Sequence, residues 1–260
     1  MPSARKPATL RIIPTTPAYA ERQSLLMERV YGGLASHESQ MFTPAQFVHH
    51  TAVFPEGQFV ALDGNQVVGL TVSMRIRFDP LRPFIEPWWE TIGAGWLRHL
   101  PDGDWLYGVE SCVHPDYQGR GIGGVLIRAR YDTARLLNLK GMVAGSTLLD
   151  YQQAAAVATP EEYVQGVISG HWFDTNLTKQ LKKGFRAGPC IPDYTTDPTA
   201  LGWGAIILWD NPDYNPHKRS RKRLPKGAAE RTYEVTLKPK KRKKAQPTAK
   251  KRTSKGKDSA

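Results

Sequence analysis

Cysteine is the scarcest chemistry in this chain: two residues, Cys112 and Cys190, in 260. Two thiols so far apart make neither a disulfide framework nor the paired spacing of a zinc site, and they suit a reducing compartment. Long apolar runs are missing too. No stretch approaches the ~20 apolar residues of a membrane-spanning helix, and the opening MPSARKPATLRIIP lacks the apolar core of a secretory signal. A soluble, cytoplasmic protein without a membrane partner is expected. His49, His50, His99 and His171 share no spacing with carboxylates or cysteines that would mark a metal site, so no metal is assigned.

The third shortage is of acidic residues at one end. Residues 215–260 hold 18 Lys and Arg against 3 Asp and Glu, a net of +15 in a chain whose total is +12, which leaves about −3 for residues 1–214. Large apolar side chains are equally rare there, so the segment has little with which to offset the entropy of ordering. The expectation is a globular domain over 1–214 and a disordered Lys/Arg-rich tail over 215–260. Lysine and arginine at this density release counterions from phosphate, which makes non-specific nucleic acid a candidate partner of the tail. A solvated tail without a partner is the plainer alternative. Nothing in it interleaves aromatics or resembles a base-reading helix.

Elsewhere helices and strands alternate. Residues 8–14 read as a strand and 18–33 as a helix stopped by Gly32 and Gly33; Thr43 and Pro44 open a second helix as N-cap and first residue. Two β-rich runs within 57–78 flank Asp63-Gly64-Asn65, a hairpin turn. Residues 79–104, with four prolines and three tryptophans, read as an insertion packed by its aromatics. A strand follows over 105–113, then a helix over 123–139 with Ile127, Tyr131, Ala134 and Leu137 on one face. A strand over 141–146, helices over 159–169 and 174–185 and a strand within 201–214 complete the order. Hairpins mixed with a strand–loop–helix crossover indicate an α+β sheet domain.

Four glycines, Gly119, Gly121, Gly123 and Gly124, stand at the start of the third helix. Glycine costs a helix roughly 1 kcal/mol against alanine, so the cluster needs a reason. Backbone N–H groups at a helix start, unobstructed by Cβ atoms and aided by the macrodipole, make an anion site, with Arg120 at its rim. A connection that is glycine-rich only for tight packing is the bland alternative. A P-loop would need Gly-Lys-Ser/Thr, which Gly123-Gly124-Val125 is not. G-x-G-x-x-G is formally met by Gly119, Gly121 and Gly124, but residues 114–118 separate it from the strand, and Leu139-Lys140 stand where the Rossmann acid belongs. Gln118-Gly119-Arg120-Gly121-Ile122-Gly123, after Val113-His114-Pro115-Asp116-Tyr117, resembles the acetyl-CoA pyrophosphate loop of the GNAT superfamily of N-acetyltransferases. The resemblance covers residues 10–214. In YGVESCVHPDYQGRGIG, EEYVQGVISG and the stretch from KKGF through DYTTD to LGWGAIILWDNPDY it extends to the acetyltransferase module fused to carbon–nitrogen hydrolases.

The resemblance implies a central mixed sheet splayed at two parallel strands, 105–113 and 141–146, with the pantetheine arm of acetyl-CoA in the gap. Cys112, Val113 and His114 would offer backbone groups to the pantetheine. Gln118, Gly119, Arg120, Gly121, Ile122, Gly123, Gly124 and Val125 would wrap the pyrophosphate. It also implies direct acetyl transfer to an amine on a small molecule or a protein. Such transfer needs a base for the amine and an oxyanion donor, and often an acid for the thiolate. Glu110 is the candidate base, against an alternative as a carboxylate that only orients substrate or pairs with an arginine. The tyrosine that the family places four residues before a Gly-Phe pair is absent, because Gln180 holds that place before Gly184-Phe185. Tyr151, or a tyrosine from another loop, is the candidate substitute, and water can serve because a thiolate already leaves readily. Cys112 with His114 nearby could be drawn as a nucleophile, although a packed strand thiol accounts for it as well. Trp88-Trp89 would pack the insertion or wall the acceptor pocket. The rival class is a non-catalytic acyl-CoA-binding or nucleic-acid-associated module.

Overall fold

The computed structural model describes residues 9–32 and 40–239. Its eight strands are β1 (Thr9–Pro14), β2 (Phe59–Asp63), β3 (Gln66–Ile76), β4 (Trp105–Val113), β5 (Gly141–Thr147), β6 (Arg186–Ile191), β7 (Gly204–Asp210) and β8 (Tyr233–Thr236). They form one sheet in the order β6-β7-β5-β4-β3-β2-β1-β8. Every neighbouring pair is antiparallel except β4 and β5. This is the mixed, mostly antiparallel α+β sheet that the order of elements predicts.

Alternation along the strands sends apolar side chains to both faces, so each face needs a cover. On one face α1 (Ala20–Tyr31), α2 (Pro44–Val53) and the insertion with its short α3 (Trp88–Thr91) bury Leu26, Met27 and Phe47 against Val72, Met74 and Tyr107. On the other lie α4 (Ile122–Leu136), α5 (Pro160–Ser169) and α6 (Leu177–Leu181). There Leu126 and Ala129 pack on Ile12 and Phe59, while Ile127, Val164 and Leu177 pack on Leu106, Met142 and Ile207. Thr43 does cap α2, accepting from the Gln46 N–H while Gln46 reaches back to the Thr43 N–H, and Thr159 with Glu162 repeats the device on α5.

Two irregularities shape the centre of the sheet. The β4–β5 ladder runs only from Trp105↔Gly141 to Tyr107↔Val143, although both strands continue, β4 to Val113 and β5 to Thr147. Beyond Tyr107 the two strands part. At the same level the register between β3 and β4 steps from Ser73↔Gly108 to Val72↔Glu110, which makes Val109 an extra residue, a bulge.

Of the aromatics expected to pack the insertion at 79–104, Trp88 and Trp89 do so, while Phe84 and Trp96 are exposed. Trp88 and Trp89 stack on Phe42 with ring centres 6.0 and 6.4 Å away, and His50 of α2 holds the insertion through Nε2, which donates to Gly95 O at 2.7 Å. Burial keeps that imidazole neutral by lowering its pKa to about 4.

Residues 215–239 correct the expectation of a disordered tail beginning at Asn215. Arg75, fully buried on β3, donates through Nη1 to Arg221 O at 2.9 Å and through Nη2 to Ser220 Oγ at 3.2 Å, while its Nε and Nη2 meet Gly103 O. Further on, β8 pairs with β1 from Thr9↔Thr236 to Ile12↔Tyr233. A buried guanidinium needs its acceptors, and β1 needs a neighbour, so a basic segment with few apolar residues is held by main-chain bonds and by Val235 and Leu237. The expected tail over 240–260 lies outside the described residues. A chain ending at Tyr214 should therefore unfold roughly 5–10 °C below one ending at Pro239 in a thermal melt followed by circular dichroism; equal midpoints would show that this segment stabilises nothing.

Candidate functional site

The loop between β4 and α4 is built by local chemistry. Val113 leaves the sheet, His114 N–H still donates to Val68 O at 2.9 Å, and His114 Nδ1 accepts the Asp116 N–H to start a turn. Tyr117 OH ties that turn to Asp63 at 2.7 Å, and Gln118 Nε2 donates to Val113 O at 3.1 Å. Gly119 and Gly121 then take φ of +74° and +100°, a region that side chains resist, and Gly121 serves as N-cap of α4. The N–H groups of Ile122 and Gly123 have no carbonyl of their own helix to meet, while those of Gly124 and Val125 donate to Gly121 O at 3.1 and 3.4 Å. Ile122 and Val125 turn their side chains into the core, so they offer only backbone.

Whether this loop fits a pyrophosphate is visible in the space around its glycines. A methyl group built on Gly119 or Gly124 would meet nothing within 4 Å; on Gly121 its nearest neighbour is Lys238 Cε at 3.9 Å, and on Gly123 Lys183 Nζ at 4.0 Å. The cradle is open to solvent and flanked by lysines. The residues present fit the group.

The gap beyond Tyr107 leads away from that cradle. Arg130 of α4 reaches it: Nη2 donates to Val72 O at 2.7 Å and makes a very short contact with Glu110 O. Burial lowers this guanidinium's pKa to about 10, with Glu110 opposing the shift. Arg130 Nε, Ser146 Oγ on β5 and Gln180 Oε1 on α6 are buried without hydrogen-bond partners among the described residues. Such atoms await a polar ligand or water.

Glu110 lies on the opposite side of the opening, directed towards α1. Its Oε1 accepts from Tyr31 OH at 2.8 Å and from the Ser111 N–H at 2.9 Å. Burial raises its pKa above the ordinary carboxylate value, against the lowering pull of Tyr31, Arg130 and Ser111. Cys112, two residues on, is buried, and burial together with Glu110 pushes its thiol well up, away from the thiolate that a nucleophile needs. The tryptophan pair stands here too, since Trp88 Nε1 donates to Val109 O at the bulge, 2.9 Å away, and Trp88 N–H to Tyr194 O.

Tyr151 is not brought to Glu110. Its hydroxyl donates to Ala158 O at 3.0 Å and its ring packs on Tyr163, in the cluster covered by α4, α5 and α6. On the Glu110 side stands another tyrosine, Tyr194, whose OH is 3.5 Å from Tyr107 OH. It lies across the parting strands because Gly145 and Gly204 make room: a methyl group on either would fall 2.1 or 2.5 Å from the Tyr194 ring. Tyr31, Arg130, Tyr194 and the two lysines escape the motif reading. Only Arg130 leaves a signal, as a charge on the apolar face that carries Leu126 and Ala134.

The comparisons with known proteins agree with this geometry. Probable hydrolase YhcX of Bacillus subtilis (strain 168) is 36% identical over 176 residues, which cover 67% of this chain but only 34% of that protein, so the chain spans about a third of it. Uncharacterized N-acetyltransferase YkwB of the same organism is 27% identical over 67% of this chain and 77% of its own length. Among solved structures, the GNAT-like decarboxylase GphF in complex with isobutyryl-CoA superposes with a TM-score of 0.63 at 22% identity, over 76% of this chain and 98% of that one. Residues 27–159, just over half of the chain, match the model of the acetyltransferase (GNAT) family. A sheet that opens between two parallel strands beside a glycine-lined helix start, in a sequence so matched, belongs to the GNAT acetyltransferase family.

Proposed function

We propose that the protein is an acetyl-CoA-dependent N-acetyltransferase that passes the acetyl group directly to an amine. One observation carries the reading: the opening beyond Tyr107↔Val143 has the glycine cradle of α4 at one end and the carboxyl of Glu110 at the other. The isobutyryl-CoA named for the GphF structure supports an acyl-CoA in such an opening.

Acetyl-CoA supplies an activated acyl group. The chain's residues do the rest. The N–H groups at the start of α4 and the loop 118–125 hold phosphate, with Cys112, Val113 and His114 lining the pantetheine by backbone. Glu110 takes the proton from the incoming amine, and a carboxyl raised by burial is a stronger base than a solvated one. Cys112, held neutral, leaves direct attack as the route, without a thiol relay. Tyr194, on the Glu110 side, is better placed than Tyr151 to protonate a departing thiolate. Trp88, fixed to the bulge, forms the wall against which the amine is presented. The acceptor is an amine of a small molecule or of a protein, and the insertion shapes that choice.

Three outcomes test this. Gly123→Glu puts a carboxylate at the cradle where no atom clashes, and acid suits a helix start, so thermal stability should hold or rise while the CoA dissociation constant rises at least about tenfold in calorimetry. Unchanged affinity would remove the loop from the site.

Glu110→Gln should lower kcat by roughly 10² to 10⁴ with CoA affinity intact. Because the folded pKa of Glu110 is raised, its contribution to stability is lost as pH rises through that value, so the glutamine variant should be no less stable at pH 7. Tyr31→Phe removes a bond that favours the carboxylate, and the acid limb of the kcat/KM profile should move to higher pH; a limb that stays in place would take the base role from Glu110.

The third outcome concerns the acid. Tyr194→Phe should cost about 10²-fold in kcat where Tyr151→Phe costs little, and the reverse order in steady-state rates would restore Tyr151.

A further inference from the structure

We infer that Lys238, delivered by β8, is a phosphate ligand of the acyl-CoA site; the inference rests on the reading of the glycine loop proposed above. β8 is short, yet its end is fixed. Val235 and Leu237 are buried in the cluster that holds Ile122 and Leu126 of α4. The Lys238 N–H donates to Arg120 O at 3.3 Å, and Arg120 Nε donates back to Lys238 O at 3.3 Å. Reciprocal bonds place this residue on the loop itself. Its Cε stands 3.9 Å from where a methyl group on Gly121 would be, so the ammonium is within one bond of the space the glycine keeps clear.

A second cation approaches from the other flank. Lys183 Nζ lies 4.0 Å from a methyl group built on Gly123. Burial, then Lys179 and Arg130, push its pKa down, the behaviour of a cation among cations. Among the described residues neither Lys183 nor Lys238 forms an ion pair. Arg130 and Ser146, which are 5% and 0% exposed, leave Nε and Oγ without partners along the same opening and mark it independently as a place for a polar ligand. The helix start supplies directional N–H donors, and the lysines supply compact charge on flexible stems, the combination a pyrophosphate with a further phosphate requires. The basic segment that composition offers to nucleic acid thus brings one of its cations to a small-molecule phosphate.

The test uses the full chain and CoA itself. Lys238→Glu should raise the CoA dissociation constant about tenfold at low ionic strength, with the deficit shrinking as salt is added. Lys238→Arg should stay near wild type. The melting temperature should hold, because the bonds that fix β8 here are main-chain; should Lys238→Glu misfold, Lys238→Met carries the same comparison with a smaller loss. Unchanged CoA affinity in Lys238→Glu, alongside a clear loss in Gly123→Glu, would overturn this inference and leave the loop reading intact. Equal binding by wild type and Gly123→Glu would overturn both. A variant that loses affinity for duplex DNA but keeps it for CoA would assign the cation to nucleic acid and also overturn it.

Discussion

Two parallel strands that part halfway along their length leave backbone groups without a ladder, and the site depends on how this chain satisfies them. Arg130 does most of it. Its guanidinium bridges the carbonyls of Val72 and Glu110, on adjoining strands at the level of the bulge, from a helix on the far face. A buried cation is costly unless bonded and neutralised, and here two carbonyls and the field of Glu110 serve. One helix therefore governs both ends of the opening: the start of α4 forms the glycine-lined loop proposed to hold phosphate, and a residue two turns on braces the strand that carries the carboxyl.

Much of this was legible because it is local. The hairpin turn at Gly64, the capping of α2 by Thr43 and the glycine-led start of α4 are set by residues close in sequence, where turn and cap chemistry act. The insertion was legible as aromatic packing, though the attachment of Trp88 to the bulge was not, since that bond joins residues 21 apart through a register shift.

Other parts depend on distant partners and left little trace. β6 contains Gly188 and Pro189, poor strand residues, and is tolerated as an edge strand with its own register shift against β7. β8 hides in a segment whose charge reads as disorder; its order comes from the edge of β1 and from Arg75, neither of which composition can reveal. Tyr194 is set by two glycines on β5 and β7 that look unremarkable in sequence. Gln180 brings no phenol to the site, and the tyrosine that stands on the Glu110 side, Tyr194, comes from a loop.

The pairing of β8 with β1 also orders events during synthesis. Ile12 opposes Tyr233, so the first of these eight strands to be synthesised waits for the last of them. Until then β1 presents an open edge, a template for any other extended chain, and Arg120 lacks the carbonyl of Lys238. Contacts between residues so far apart in sequence form late. A nascent chain with its sheet interior already assembled would thus be at its most adhesive, and would benefit from a chaperone, until the segment through Lys238 clears the exit tunnel.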